Sequence, residues 1–308
     1  MDTIDIVKEI SRLKKEKNAV ILAHFYVNPE VQDIADYIGD SLGLSHAAAK
    51  TNADIILFCG VNFMAETASI ISPGKKVLIP DNTAGCSLTE SIEVIDLIEW
   101  KKENPDGVII SYVNTTAEIK AYTDYCCTSS NALKVVMSIP ADKKILFVPD
   151  KNLGNYIKIK TGRDIEILEG DCCVHNQFDT KTVLLKSLEY PEADILIHPE
   201  SKCSNDLAIH NMKQAYFCST SGMIKHVNSS EKKEFIIVTE AGVIHEMKKS
   251  NPNKIFIPVQ SGAICRNMKK VTLEKVLRSL QTEEYEIKIP DGLREKAWLP
   301  IKRMLQIQ

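Results

Sequence analysis

Along this chain, short apolar runs alternate with stretches whose apolar positions recur every three or four residues. The runs "NAVILAHF", "DIILFCG", "KKVLIP", "GVIISYV", "KKILFVPD", "ADILIHPE", "EFIIVTE" and "NKIFIPVQ" are continuous rather than alternating. A strand with one wet face alternates apolar and polar residues, whereas a strand covered on both faces does not. These runs therefore predict strands buried on both faces, and the stretches between them predict helices layered over parallel sheets, an α/β fold. The opening "MDTIDIVKEISRLKKEK" predicts an amphipathic helix, with Ile4, Ile6, Ile10 and Leu13 at helical spacing.

The order of features then recurs three times. Each unit begins with a strand ending in a polar cluster: His24-Phe25-Tyr26-Val27-Asn28, Tyr112-Val113-Asn114 and His198-Pro199-Glu200. A helix leads on to hydroxyl groups at Asp40-Ser41, Thr128-Ser129 and Ser219-Thr220. A second strand ends in a polar turn ("FCGVNFMAE", "FVPDKNLGN", "IVTEAGVIH"), and a third ends near a cysteine ("IPDNTAGCS", "EILEGDCCVH", "IPVQSGAICRN"). His24 to Tyr112 is 88 residues and Tyr112 to His198 is 86; Ser41 to Ser129 is 88 and Ser129 to Thr220 is 91; Cys86 to Cys172 is 86 and Cys172 to Cys265 is 93. Three markers with one period predict three related αβα domains: residues 1–104 with the N-terminal helix, 105–191, and 192–308 with the C-terminal helices. Open α/β sheets bind ligands beyond the carboxyl ends of their strands. Equivalent ends meeting on a pseudo-threefold axis would line one central active-site cavity.

A chain of 308 residues exceeds what one core usually supports, which agrees with several domains. The formal charge of −3 shows no basic excess, so no nucleic-acid partner is expected. No apolar run approaches the roughly 18 residues of a membrane span, and the N-terminus lacks a secretory pattern; a cytoplasmic protein is expected. Thiols stay reduced there, so the nine cysteines are not expected to form a disulfide framework. Cys59, Cys126, Cys127, Cys203 and Cys218 sit in apolar strands or helix starts and read as packing residues. Cys86, one of Cys172 and Cys173, and Cys265, one per unit, could meet in that cavity and hold a metal or cluster. A structural zinc site closes with four ligands, and an electron-transfer cluster usually takes four cysteines. Three would leave one iron of a [4Fe–4S] cluster open as a Lewis acid, unless His175 or another cysteine fills it. The neighbours Cys172 and Cys173 point opposite ways in an extended chain, so Cys173 is expected to face away from the cluster, into packing.

The motifs "AHFYVNPEVQDIADYIGDSLGLS", "PDNTAGCSL", "YVNTTAEIKAYTDYCCTSSNA", Gly170-Asp171-Cys172-Cys173-Val174-His175, "HPE", "STSGMI" and "CRNMKKVTLEKV" run in order from about residue 18 to residue 280. Together they resemble the quinolinate synthase family, the A protein of NAD biosynthesis. The resemblance implies three pseudo-threefold α/β domains around one oxygen-sensitive [4Fe–4S] cluster. It implies condensation of iminoaspartate with dihydroxyacetone phosphate, with loss of phosphate and two waters, to give quinolinate. It implies Cys86, Cys172 and Cys265 as cluster ligands, Cys172 rather than Cys173 by its three-residue gap to His175. It implies a functional link to an L-aspartate oxidase or dehydrogenase. His24, Tyr26, Ser41, Tyr112, Asn114, Ser129, His198, Glu200 and Thr220 match the family's substrate-contacting positions. Two departures stand out. The family commonly reads His-Pro-Glu-Cys, whereas here Glu200 is followed by Ser201-Lys202-Cys203, and Arg266 follows Cys265 where proline is common.

The chemistry assigns roles. Hydroxyls and free N–H groups at helix starts suit carboxylates and phosphate, so Ser41, Ser129, Ser219 and Thr220 are candidate substrate contacts, although each alone also fits a helix cap. Tyr26 and Glu200 are the acid–base candidates, with His24 and His198 orienting or relaying protons. His175 either orders the shell around Cys172 or simply packs. Two other readings share the cluster: another [4Fe–4S] hydro-lyase, or a non-catalytic iron–sulfur redox sensor. A sensor has no need of the polar strand ends.

Overall fold

The computed structural model describes residues 2–307. Its strands form three separate four-stranded sheets. The first holds β1 (Ala19–His24), β2 (Tyr37–Gly39), β3 (Ile55–Cys59) and β4 (Lys76–Leu78) in the order β2-β1-β3-β4. The second holds β5 (Val108–Tyr112), β6 (Tyr125–Cys127), β7 (Ile145–Val148) and β8 (Ile165–Ile167) in the order β6-β5-β7-β8. The third holds β9 (Asp194–Ile197), β10 (Ala215–Phe217), β11 (Glu234–Val238) and β12 (Ile255–Pro258) in the order β10-β9-β11-β12. One strand order thus recurs three times, and every pair in register is parallel.

The expected α/β class, with strands covered on both faces, is what the chain adopts. In the third sheet Leu196, Phe235, Ile237 and Phe256 enter one apolar core. Their neighbours Ile195, Ile197, Ile236, Val238 and Ile257 enter another. That alternation is the two-residue period of a strand with a dry surface on either side. Three strands have no counterpart in the apolar runs or in the repeated strand endings: β2, β6 and β10. Each has three residues and lies at the edge of its sheet. They stand between the first helix of each unit and its hydroxyl group. Ser41, Ser129 and the Ser219-Thr220 pair therefore follow the carboxyl end of an edge strand rather than the helix itself.

The helix Thr3–Glu16 begins where the Asp2 carboxylate accepts from the Asp5 N–H at 2.8 Å, and it buries Ile6, Ile10 and Leu13. Ile4 is 65% exposed and lies outside that stripe. The C-terminal helices do not lie on the third sheet. Leu273–Thr282 packs on Thr3–Glu16, while Asp291–Gln306 packs on the helix Ala117–Ala121, on β6 and on the helix Asn62–Ile71. No helix of the described residues is long and apolar enough to cross a membrane.

Candidate active site

One cavity, partly open to solvent, takes its wall from all three units. His24, Tyr26, Ser41 and Cys86 come from the first unit, Tyr112, Asn114, Ser129 and Cys172 from the second, and His198, Glu200, Thr220 and Cys265 from the third. Of the candidate catalytic, substrate-binding and ligand residues, only Ser219 is not part of its wall. Its hydroxyl caps the helix Thr220–Ser229 by accepting from the Gly222 N–H, and meets Asp40 Oδ2 at 3.1 Å and Ser130 Oγ at 2.8 Å. Ser41 is not a cap: Asp40 caps the helix Ser41–Lys50 by accepting from the Gly43 N–H.

The three strand ends share one local geometry. In each, a residue at or just after the last strand position and the residue two further on face the cavity: His24 and Tyr26, Tyr112 and Asn114, His198 and Glu200. The first and third go further. The Tyr26 N–H donates to His24 Nδ1 at 3.2 Å, and the Glu200 N–H donates to His198 Nδ1 at 3.4 Å. An imidazole that accepts at Nδ1 carries its proton on Nε2. Burial pushes His24 down to about 4 and His198 down to about 3, so both rings are neutral near pH 7. Each ring lines the cavity and carries its donor on Nε2.

Behind these ends runs a chain of buried hydrogen bonds. Tyr26 Oη lies 2.6 Å from Thr239 Oγ1 and 2.9 Å from Thr220 Oγ1. Thr239 Oγ1 lies 2.8 Å from His175 Nε2, and His175 Nδ1 lies 2.8 Å from Glu200 Oε2. The other Glu200 oxygen accepts from the Tyr112 hydroxyl. Burial opposes a charge on Glu200, but the His175 ring and the Tyr112 donation outweigh it and hold the carboxyl ionised. Burial also pushes both tyrosines well above the usual phenol range. With Nδ1–H directed at a carboxylate, Nε2 is the acceptor, so Thr239 donates to His175 and Tyr26 donates to Thr239.

The thiols form a second repeated geometry. Cys86, Cys172 and Cys265 each stand just before a short 3₁₀ turn: Ser87–Glu90, His175–Gln177 and Met268–Lys270. Burial pushes Cys86 up to about 12, Cys172 well above the usual thiol range, and Cys265 upward. At each, backbone N–H groups two and three residues on oppose that rise: Leu88 and Thr89, Val174 and His175, Asn267 and Met268. Such donors stabilise a bound thiolate. His175 Nδ1, whose N–H is directed at Glu200, also lies 3.2 Å from Cys172 Sγ, so the ring is in contact with that sulfur. The donor set, three half-buried cysteines, one from each unit, lining one cavity with matching N–H support, fits a cluster with like ligands. A tighter group of Cys172, His175 and Glu200, with donor atoms within 4.8 Å of one another, also lies at this wall.

Cys173 is exposed and lines the cavity beside Cys172, with its N–H donating to Ser87 Oγ; it neither faces away from the cavity nor enters the packing expected of it. Cys59, Cys126, Cys127 and Cys203 are buried as expected, whereas Cys218 is only half-buried.

Several site residues were not singled out in the sequence. Asp40 ties the units together: its Oδ2 accepts from Ser130 Oγ at 2.9 Å and from Ser219 Oγ. Thr239 links Tyr26 to His175. Glu240, fully buried, accepts from the Cys265 N–H and pairs with Lys269 at 3.1 Å. Lys269 in turn donates to the Tyr26 carbonyl at 2.6 Å. Asp40 adjoins Ser41 in "GDS", and Thr239-Glu240 ends the third unit's second strand, so both were visible as polar strand-end residues. Among the described residues no lysine or arginine lines the cavity.

Buried acid–base groups and thiols from three α/β units, converging where parallel strands end, define an enzyme. Residues 8–306 match the family described as NadA, the quinolinate synthetase A protein. The quinolinate synthase of Pyrobaculum aerophilum is 50% identical over 97% of this chain and 98% of its own length. That of Trichodesmium erythraeum is 47% identical over 98% and 94%, and that of Thermus thermophilus 44% over 98% and 97%. The chain belongs to the quinolinate synthetase A family.

Proposed function

We propose that this chain condenses iminoaspartate with dihydroxyacetone phosphate, with loss of phosphate and two waters, to give quinolinate for NAD biosynthesis. In this reading Cys86, Cys172 and Cys265 hold a [4Fe–4S] cluster with one iron open. The observation that carries it is the thiol loop built three times around one cavity, facing a wall of acid–base groups. When bound, the cluster supplies a Lewis acid for a substrate oxygen.

The chain's own residues supply the remaining chemistry. A buried phenol is too weak an acid to lose its proton unaided. Tyr26 has a route for it, through Thr239 to His175 Nε2, and Glu200 at Nδ1 stabilises the imidazolium that results. Tyr26 is thereby a base toward substrate and, with the proton returned, an acid. His24 and His198 donate from Nε2 to substrate oxygens. With no lysine or arginine at the wall, the anionic groups rest on hydroxyls, these Nε2–H donors and the positively polarised starts of the helices Ser41–Lys50 and Thr220–Ser229, where Asp40 and Ser219 take only the Gly43 and Gly222 N–H groups. Asn114 Oδ1 is buried without a partner and is matched to a substrate N–H or O–H.

The test is anaerobic reconstitution, iron and sulfide counting, and assay with both substrates. About four irons and four sulfides per chain, with quinolinate formed, are expected. Cluster-replete protein that forms no quinolinate overturns the reaction. Full activity with one iron overturns the cluster in favour of an ion at Cys172, His175 and Glu200.

A further inference from the structure

Lys120 is fully buried, in the five-residue helix Ala117–Ala121. Its Nζ donates to the Val113 carbonyl at 2.8 Å and to the Thr115 carbonyl, and lies 5.7 Å from the centre of the Phe63 ring. Among the described residues no carboxylate reaches ion-pair distance of it. A buried ammonium without a counter-ion is costly, so its partners matter. Those partners are the carbonyls on either side of Asn114, directly after Tyr112. Burial pushes the Lys120 ammonium down, but an amine and an ammonium both have enough N–H groups for two carbonyls.

The first unit has the same arrangement. Gln32 lies in the five-residue helix Pro29–Asp33, and its Nε2 donates to the Phe25 carbonyl at 2.9 Å and the Val27 carbonyl at 3.0 Å. Those carbonyls lie on either side of Tyr26. Gln32 and Lys120 are 88 residues apart, the step that separates His24 from Tyr112 and Ser41 from Ser129. Each is the fourth residue of its helix. They occupy one position of the repeat and bind the same two backbone groups with different chemistry. In the third unit the loop departs from this register, and a single side-chain bond remains, from Ser204 Oγ to the Pro199 carbonyl at 2.7 Å, while the Ser201 carbonyl accepts from the Ser204 backbone N–H at 2.8 Å. There the Glu200 side chain is itself tied down, by His175 and Tyr112. The Asn114 side chain has no such tie at Oδ1, so its aim is set by its backbone.

We infer that Gln32 and Lys120 are positioning residues, each clamping the two carbonyls that flank a cavity residue, Tyr26 and Asn114 respectively. The inference rests on the cavity being the active site proposed above. Its test exchanges one unit's clamp for the other's. Lys120→Gln installs the side chain that the first unit uses on an equivalent backbone, whereas Lys120→Met keeps the stem and removes the donors. Lys120→Gln is expected to keep kcat/KM within about threefold of wild type, with unchanged slow hydrogen exchange at residues 113–116. Lys120→Met is expected to speed that exchange and to lower kcat/KM by about tenfold to a hundredfold, the scale of a misplaced contact, at wild-type iron content. Equal impairment of the two variants overturns the clamp in favour of a need for the charge, and wild-type exchange in Lys120→Met overturns it outright. Should Lys120→Met fail to fold, Lys120→Gln decides alone: near-wild-type behaviour supports the clamp and impairment refutes it. Should the wild type form no quinolinate, the proposed reaction fails, and the exchange comparison still judges the clamp.

Discussion

The cavity has two walls built on opposite rules. The thiol wall repeats its chemistry: Cys86, Cys172 and Cys265 each precede a short turn, and each draws on N–H groups two and three residues on. The strand-end wall repeats only its backbone. The same pair of positions carries histidine and tyrosine, then tyrosine and asparagine, then histidine and glutamate. Three like donors suit a group that takes like ligands. Unlike side chains suit substrates whose atoms need an acid, a base and an acceptor in different places. The largest effects should therefore come from the thiol wall, and they should be equal. Cys86→Ser, Cys172→Ser and Cys265→Ser are each expected to reduce bound iron and quinolinate formation to background, while Cys173→Ser leaves both intact. Metal analysis and absorption spectra of the four anaerobic proteins check this. A Cys172→Ser protein that keeps its full iron content would falsify the ligand assignment.

The strand-end wall should respond unequally. Glu200→Gln removes the charge that receives both His175 Nδ1–H and the Tyr112 hydroxyl, and places an amide N–H against one of those donors. A loss of about 10²–10⁴ in kcat is expected, the range of a general acid–base group. Asn114→Ala removes one unpaired acceptor, and about a tenfold rise in KM is expected, the scale of one hydrogen bond. Steady-state kinetics on protein of equal iron content separate the two. Equal losses would mean that this wall, like the other, acts as a set.

Which parts of this design were legible in the sequence follows from the same contrast. Long strands buried on both faces leave continuous apolar runs, and a three-residue edge strand such as "YIG" or "AYF" leaves none. The thiols stood out because one residue type recurred at one period. The period alone did not separate Cys172 from Cys173; Val174 and His175 support the Cys172 sulfur, which is what favours it as the proposed ligand. The clamp at Gln32 and Lys120 was hidden because its two side chains look unrelated and its targets are carbonyls, which every residue has. Thr239 and Asp40 act across units, and no local pattern reports a contact between residues 26 and 239 or between 40 and 219.

The walls should also differ in how pH reaches stability. Unfolded histidine takes a proton near pH 6.5, whereas native His24 and His198 resist until about 4 and about 3. Between those values the unfolded chain binds more protons, so stability falls as pH falls through that window. The loss is on the order of 3 kcal/mol for His24 and about 5 kcal/mol for His198 at the acid end. The thiols, pushed upward by burial, are protonated in both states there and add no slope. Urea unfolding of the metal-free protein from pH 7 to pH 4 measures the effect, and His198→Asn should flatten the curve. An unchanged slope in that variant would mean that the ring titrates normally in the native state.

The smallest effect marks where the strand-end wall stops. Ser219 and Thr220 are neighbours, but only Thr220 faces the cavity and touches Tyr26. Ser219 caps its helix and meets Asp40 and Ser130, so one hydroxyl joins three units behind the wall. Ser219→Ala removes the cap and one of the two serine contacts at Asp40 Oδ2. Ser130 still donates there at 2.9 Å, so the carboxylate keeps a partner. The expected loss is about 1 kcal/mol of stability, the usual value of a cap, read by urea unfolding. Turnover should hold, because nothing facing substrate has moved. Thr220→Ala should do the reverse, sparing the cap and lowering kcat/KM by about tenfold through the lost partner of Tyr26. If Ser219→Ala slows turnover more than Thr220→Ala does, the boundary is misplaced and the Asp40–Ser130–Ser219 contact belongs to the site itself.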